Sequence, residues 1–92
     1  MKMYKLVETD LYLKKLKKVL KKHKDIYKKY QKTILLLSQN PQHPSLRLHK
    51  LKDDMQEYHS VSIDIQYRII CDFIIIGDEI ILVDIGTHDE VY

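Results

Sequence analysis

The chain has 92 residues, 45% of them hydrophobic and 32% charged, with a formal net charge of +3. That length suits one domain, residues 1–92, near the small end of what buries a core without disulfides or metals. The single cysteine, Cys71, excludes an internal disulfide, no Cys/His spacing matches a zinc site, and no run reaches the roughly 18–20 apolar residues of a membrane span, so a soluble cytoplasmic protein is expected.

The net charge hides an asymmetry. Residues 1–52 carry fifteen Lys/Arg against three Asp/Glu, whereas residues 53–92 carry one against ten, so the two parts stand at +12 and −9. The basic part either attracts a polyanion or an acidic partner, or its lysines only solvate exposed helix faces.

In chain order, Met3 to Glu8 alternates weakly and reads as a short first strand, ending where Thr9-Asp10 offer helix-capping oxygens. From Leu11 to about His23 the residues Tyr12, Leu13, Leu16, Val19 and Leu20 recur at three- and four-residue spacing, with Lys14, Lys15, Lys17, Lys18, Lys21 and Lys22 on the other side. A second amphipathic helix resumes from Asp25, a candidate N-cap, with Ile26, Tyr27, Tyr30, Ile34 and Leu37 inward, and ends near Ser38-Gln39-Asn40 before Pro41. Like-charged lysines four residues apart repel by a few tenths of a kcal/mol per pair, so the apolar stripes must hold this hairpin against a sheet.

Residues 40–55 contain both prolines and no clear period over their first half, which predicts a loop or extended connection. Val61, Ile63 and Ile65 then alternate with polar residues, the two-residue period of a strand with one wet face. Tyr67 to Ile76 reads as a central strand, and Gly77-Asp78 as the turn into a last strand, Glu79 to Ile85. The expected fold is α+β, ordered β-α-α-β-β-β: a small antiparallel sheet with a helix hairpin packed on one face.

Arg68 interrupts an apolar strand, and an unpaired guanidinium in a core costs several kcal/mol. Parity places it with Ile70 and Asp72 on the wet face, opposite Tyr67, Ile69 and Cys71. Two accounts stay open: an ion pair to Asp64 or Asp84, or a clamp for a phosphate. His88 follows Gly86-Thr87 at the rim of the sheet, and Cys71 reads as core rather than nucleophile.

Several blocks, in this order and spacing, resemble the RelE/ParE superfamily of toxins, the toxic halves of bacterial type II toxin-antitoxin pairs. They are a first strand, a lysine-rich helix hairpin, His49-Lys50-Leu51-Lys52, Tyr67-Arg68-Ile69-Ile70, and the ending Val83-Asp84-Ile85-Gly86-Thr87-His88-Asp89-Glu90-Val91-Tyr92. The Gly-Thr-His ending with an aromatic residue four positions later is similar to the YafQ branch.

The resemblance implies a RelE-like fold and a ribosome-dependent endoribonuclease, an mRNA interferase acting without a metal or other cofactor. Its implied partners are a cognate antitoxin, the ribosome and mRNA, with no membrane. Matched residue by residue, it assigns Arg68 to the phosphate, His49 and His88 to the two proton roles, and Tyr92 to positioning. Lys50, Lys52, Tyr67, Lys14, Lys18 and Lys21 would bind RNA.

The chain departs from the pattern in its first two meander strands. Ser62 and Gln66 stand where YafQ-type chains place a histidine and an aspartate, and Ser60 and Ser62 where RelE-type chains place lysines. His59 reaches the wet face only if the register slips by one residue. Two further readings therefore accompany the nuclease: a ParE-like inhibitor of DNA gyrase without nuclease chemistry, and a degenerate toxin that only binds antitoxin.

Overall fold

The computed structural model describes residues 3–51, 58–74 and 78–91, and the side chains of Phe73, Ile74 and His88 lie outside that description. Among the described residues five strands form one sheet: β1 (Lys5–Glu8), β2 (His49–Lys50), β3 (His59–Ser62), β4 (Tyr67–Ile74) and β5 (Glu79–Thr87), in the order β1-β5-β4-β3-β2. Two long helices, α1 (Asp10–Lys22) and α2 (Tyr27–Gln39), follow β1, and a short α3 (His88–Val91) ends the described chain. The α+β class and the helix hairpin are as expected. The sheet, however, is mixed: β1 pairs parallel to β5 and the other pairs are antiparallel.

Thr9 caps α1, its Oγ1 accepting from the Tyr12 N–H at 3.2 Å and donating to the Leu82 carbonyl at 2.9 Å. One side chain thus starts the helix and fastens it to β5. Asp10 in the first turn and Lys21 and Lys22 in the last suit the helix dipole. The buried side of α1 is narrower than the apolar spacing suggests. Tyr12 is fully buried and Leu16 packs on the core, but Leu13, expected inward, is 43% exposed on the flank.

In α2 the stripe is Tyr30, Thr33 and Leu37, and Tyr27, also expected inward, is 48% exposed with its hydroxyl accepting from Gln31 Nε2. Asp25 does not cap α2. The chain leaves α1 through a 3-10 turn, Lys24–Ile26, whose Ile26 N–H donates to the His23 carbonyl, and α2 begins without a side-chain cap. In so short a connection that turn satisfies backbone groups a cap would otherwise serve.

The two helices meet inside the core through their tyrosines, with the Tyr12 and Tyr30 hydroxyls 2.6 Å apart. Burial, with Tyr30 adjacent, pushes the Tyr12 phenol far above its ordinary value, so both hydroxyls stay protonated. Around them pack Leu37, Leu46, Val61, Ile69, Cys71, Ile80, Leu82 and Ile85. The side chains of Val61 and Ile69 therefore define the helix-facing side of the sheet.

The strand predicted through Val61, Ile63 and Ile65 stops at Ser62. Asp64 Oδ1 accepts from the Gln66 N–H at 2.9 Å and the Tyr67 N–H at 2.7 Å, and Ser62 Oγ donates to the Asp64 carbonyl at 2.7 Å. These bonds fold residues 63–66 into a turn and leave Ile65 92% exposed. A short side chain able to bond its own backbone has overridden the apolar alternation. Asp78 begins the approach to β5 at φ 51°, a conformation Asp tolerates in turns, while Gly77 and residues 75–76 lie outside the described residues.

Candidate functional site

Register fixes which side chains share the face opposite the helices. Ser62 pairs with Arg68 and Arg68 with Gly86, while His49 pairs with Ser60 and Ser60 with Ile70. Directly paired residues point to the same side of a sheet, and residues two apart on one strand do as well. Arg68 and His49 therefore lie on one face, two strands and one row apart, roughly 12 Å between Cα atoms from ideal strand spacings. Both side chains are long enough to reach one group placed between them.

Neither carboxylate considered as an Arg68 partner is taken by it. Asp84 pairs with Lys15 of α1 at 2.8 Å, and Asp64 is spent on the turn. Among the described residues, Arg68 Nε is buried without a hydrogen-bond partner. A buried guanidinium N–H left open is costly, of order 1–3 kcal/mol, and it describes a donor awaiting an acceptor. The centre of this face is drier than expected, since Ser60 is 0% and Ile70 4% exposed.

His49 lies on the edge strand, exposed, with Nδ1 3.1 Å from the Arg47 carbonyl oxygen. A carbonyl only accepts, so the imidazole donates to it through Nδ1–H. Arg47 adopts φ 49°, ψ 44° at the end of the turn Pro44–Leu46. That left-handed residue reverses the chain into β2 and aims its carbonyl at the imidazole two residues on.

Gly86 is the residue opposite Arg68 on β5, and α3 folds back against it. A methyl group at Gly86 would stand 3.2 Å from Glu90 Cβ, Glu90 Oε1 and Val91 Cγ1, so glycine allows the close approach. Glu90 Oε1 accepts from the Thr87 N–H at 2.8 Å. These bonds from Thr87, first its backbone N–H and then its hydroxyl, hold the Glu90 carboxyl below its ordinary range. The pattern Thr87-His88-Asp89-Glu90 is a capping box, legible in the sequence but read there only as a functional signature. His88 is the first residue of α3, directly after the register partner of Tyr67, which brings its backbone to the end of the sheet where Arg68 lies.

The remaining candidates divide. Lys50 follows His49 and by strand alternation points to the opposite face. Tyr67 also lies opposite Arg68, 7% exposed, its ring 5.3 Å from that of His23 and tilted by 57°. Lys14, Lys18 and Lys21 are exposed on α1, and Lys18 lines a groove at the end of the hairpin with Lys22, His23, Tyr67, Thr87 and Glu90. Lys52 and Tyr92 lie outside the described residues, as does the side chain of His88. His59 keeps the register of Cys71 and Val61–Ile69, so no slip carries it to Arg68's face. Burial pushes the Cys71 thiol up to about 12, which makes it an inert core residue. No group of three or more His, Cys, Asp or Glu among the described residues is arranged to hold a metal ion, and no helix among them is long and apolar enough to cross a membrane.

The same fold is found in solved structures of toxins from toxin-antitoxin systems. No family model and no curated protein matches the sequence; solved structures do. The metal-bound toxin from Helicobacter pylori aligns with a TM-score of 0.82 at 21% identity, over 98% of this chain and 100% of that one. The toxin in the E. coli DinJ-YafQ toxin-antitoxin complex aligns at 0.81 and 20% identity, over 98% of both chains. A YoeB/ParE toxin from Agrobacterium tumefaciens aligns at 0.76 and 20% identity, over 91% of this chain and 98% of that one. At these identities the alignments show a shared fold alone.

Proposed function

We propose that this chain is the toxin of a type II toxin-antitoxin pair and that it cleaves mRNA on the ribosome by acid-base transphosphorylation. The observation that carries this reading is the buried Nε of Arg68, unpartnered among the described residues, on the face it shares with His49. A non-bridging phosphate oxygen supplies the missing acceptor and the compensating charge. The fold, shared with YafQ and YoeB-type toxins, supports the toxin role and an antitoxin as partner.

In the proposed reaction one imidazole removes the 2′-hydroxyl proton of the nucleotide, and the freed oxygen attacks the adjacent phosphorus. Arg68 stabilises the charge that grows on the equatorial oxygens. The other imidazole gives a proton to the departing 5′-oxygen, leaving a 2′,3′-cyclic phosphate and a 5′-hydroxyl. Through Nε2, His49 serves either proton role, and His88 serves the other from the end of β5. Tyr92 would position the nucleotide, and the lysines of α1 would meet ribosomal RNA backbone.

Ser62 donates to the Asp64 carbonyl and Gln66 lies in the same turn, so neither substitutes for the histidine and aspartate of YafQ-type chains on Arg68's face. Proton transfer then falls to His49 and His88 alone. Expression in a bacterial host tests the reading: growth arrest relieved by Arg68→Ala supports it. Arrest unaffected by that change, with purified protein blocking DNA supercoiling by gyrase, would establish the ParE-like alternative.

A further inference from the structure

The hairpin end of the molecule carries a groove that the phosphate chemistry above does not use. Its narrower part, about 360 Å³, is lined by Lys18, Lys22, His23, Tyr67, Thr87 and Glu90. Its wider part, about 520 Å³, again has His23, Tyr67 and Thr87, joined by Ile65, Gln66 and Asp89. The two parts adjoin, sharing His23, Tyr67 and Thr87. The groove opens at the end of β5, where the chain enters α3 at His88.

The chemistry changes along its length. At one end Lys18 and Lys22, one helical turn apart, present two ammonium groups to the same side. The acidic residue beside them, Glu90, is already engaged by Thr87, and Lys15 and Lys22 help hold its carboxyl ionised. In the middle stands the partly buried His23, its ring in tilted contact with that of the almost covered Tyr67. At the far end are Ile65, whose side chain the Asp64 turn leaves in solvent, and the exposed amide-bearing Gln66.

Cations for a phosphate, a supported aromatic face for a base, an apolar neighbour and an amide for the base edge are the parts of a single-stranded nucleotide site. We infer that this groove binds one nucleotide of the RNA strand flanking the scissile phosphate. The base stacks on His23 and its phosphate lies against Lys18 and Lys22. The inference rests on the RNA-cleaving reading for its biological sense, but the groove's affinity for a nucleotide is testable without cleavage. Asp89, on the same wall as Gln66, disfavours an acidic peptide at the wide end, and the lysines favour an anion only at the narrow end.

The test is a titration of the full chain with adenosine 5′-monophosphate and, separately, with inorganic phosphate, followed by NMR of the His23 and Tyr67 ring signals. The nucleotide is expected to shift both rings. His23→Ala should weaken its binding roughly 5- to 150-fold, the range given by one base-aromatic stack. His23→Phe, which keeps the stack, should restore it, while Lys22→Ala should weaken the nucleotide binding that the two ring signals report. Arg68→Ala should leave groove binding intact. Unchanged nucleotide affinity in His23→Ala would overturn the inference, as would ring shifts produced equally by inorganic phosphate. Groove binding as expected in a protein that cuts no message would sink the nuclease reading and leave the nucleotide site standing.

Discussion

The Thr87 N–H donates to Glu90 Oε1 at 2.8 Å, and this bond closes the end of the last strand onto the first turn of α3. With Gly86 admitting Glu90 and Val91 to 3.2 Å of where its Cβ would be, the bond fixes the backbone from which His88 projects. Glu90→Ala should release α3 and lower message cleavage by displacing His88, whereas Glu90→Gln, which still accepts from Thr87, should preserve it. Amide exchange at Thr87, faster only in the alanine variant, checks the structural half. The pH dependence has a fixed sign. The folded Glu90 carboxyl sits below its ordinary value, so its stabilisation is complete above about pH 4.3 and fades as pH falls through the lower folded value.

Arg47 tests whether backbone geometry or a side chain positions His49. Its φ of 49° costs an ordinary residue about 1–2 kcal/mol. Arg47→Gly should therefore keep or slightly raise stability and retain the His49 Nδ1 bond to the carbonyl. Arg47→Val should destabilise by about 1–2 kcal/mol, because a β-branched residue resists that conformation. Denaturant unfolding and the imidazole nitrogen shifts of His49 read the two effects. Equal damage from both substitutions would mean that the arginine side chain is what counts.

The hydroxyl pair of Tyr12 and Tyr30 makes a double-mutant cycle informative. Removing one oxygen leaves the other buried without its partner, so Tyr30→Phe should cost about 1–3 kcal/mol. Removing both should cost clearly less than the two single losses together. Additive losses, measured by urea unfolding, would show that the two hydroxyls do not depend on each other.

Much of the architecture was legible in the residues. Thr9 as a cap, the lysine-rich hairpin and the opposition of Arg68 to Tyr67, Ile69 and Cys71 follow from short-range patterns, and the structure has all three. What escaped was set by longer-range or competing effects. The parallel pairing of β1 with β5 joins residues over seventy positions apart, beyond any local period. Strand β2 is two residues long, too short to alternate detectably. Asp64 broke a strand that apolar spacing favoured because its carboxylate could bond two backbone N–H groups at once.

The candidate site was legible only in part. Arg68 stood out as a guanidinium in an apolar strand, His49 was named from the resemblance to a family pattern, and register places them on one face. His23 was missed because a lone histidine between two helices has no periodic signal, and only the fold brings it against Tyr67. The Gly86-Thr87 pair, read as a functional signature, proves to serve structure first, one residue by lacking a side chain and the other by capping.

The central claim is that Arg68 holds the scissile phosphate while histidines move the protons. The most direct measurement is cleavage of a ribosome-bound message by purified protein, with the product ends identified. The account predicts fragments ending in 2′,3′-cyclic phosphate and 5′-hydroxyl, a loss of at least about 100-fold for Arg68→Ala, and a comparable loss for His49→Ala. Cleavage by Arg68→Ala at the rate of the unaltered protein would contradict it.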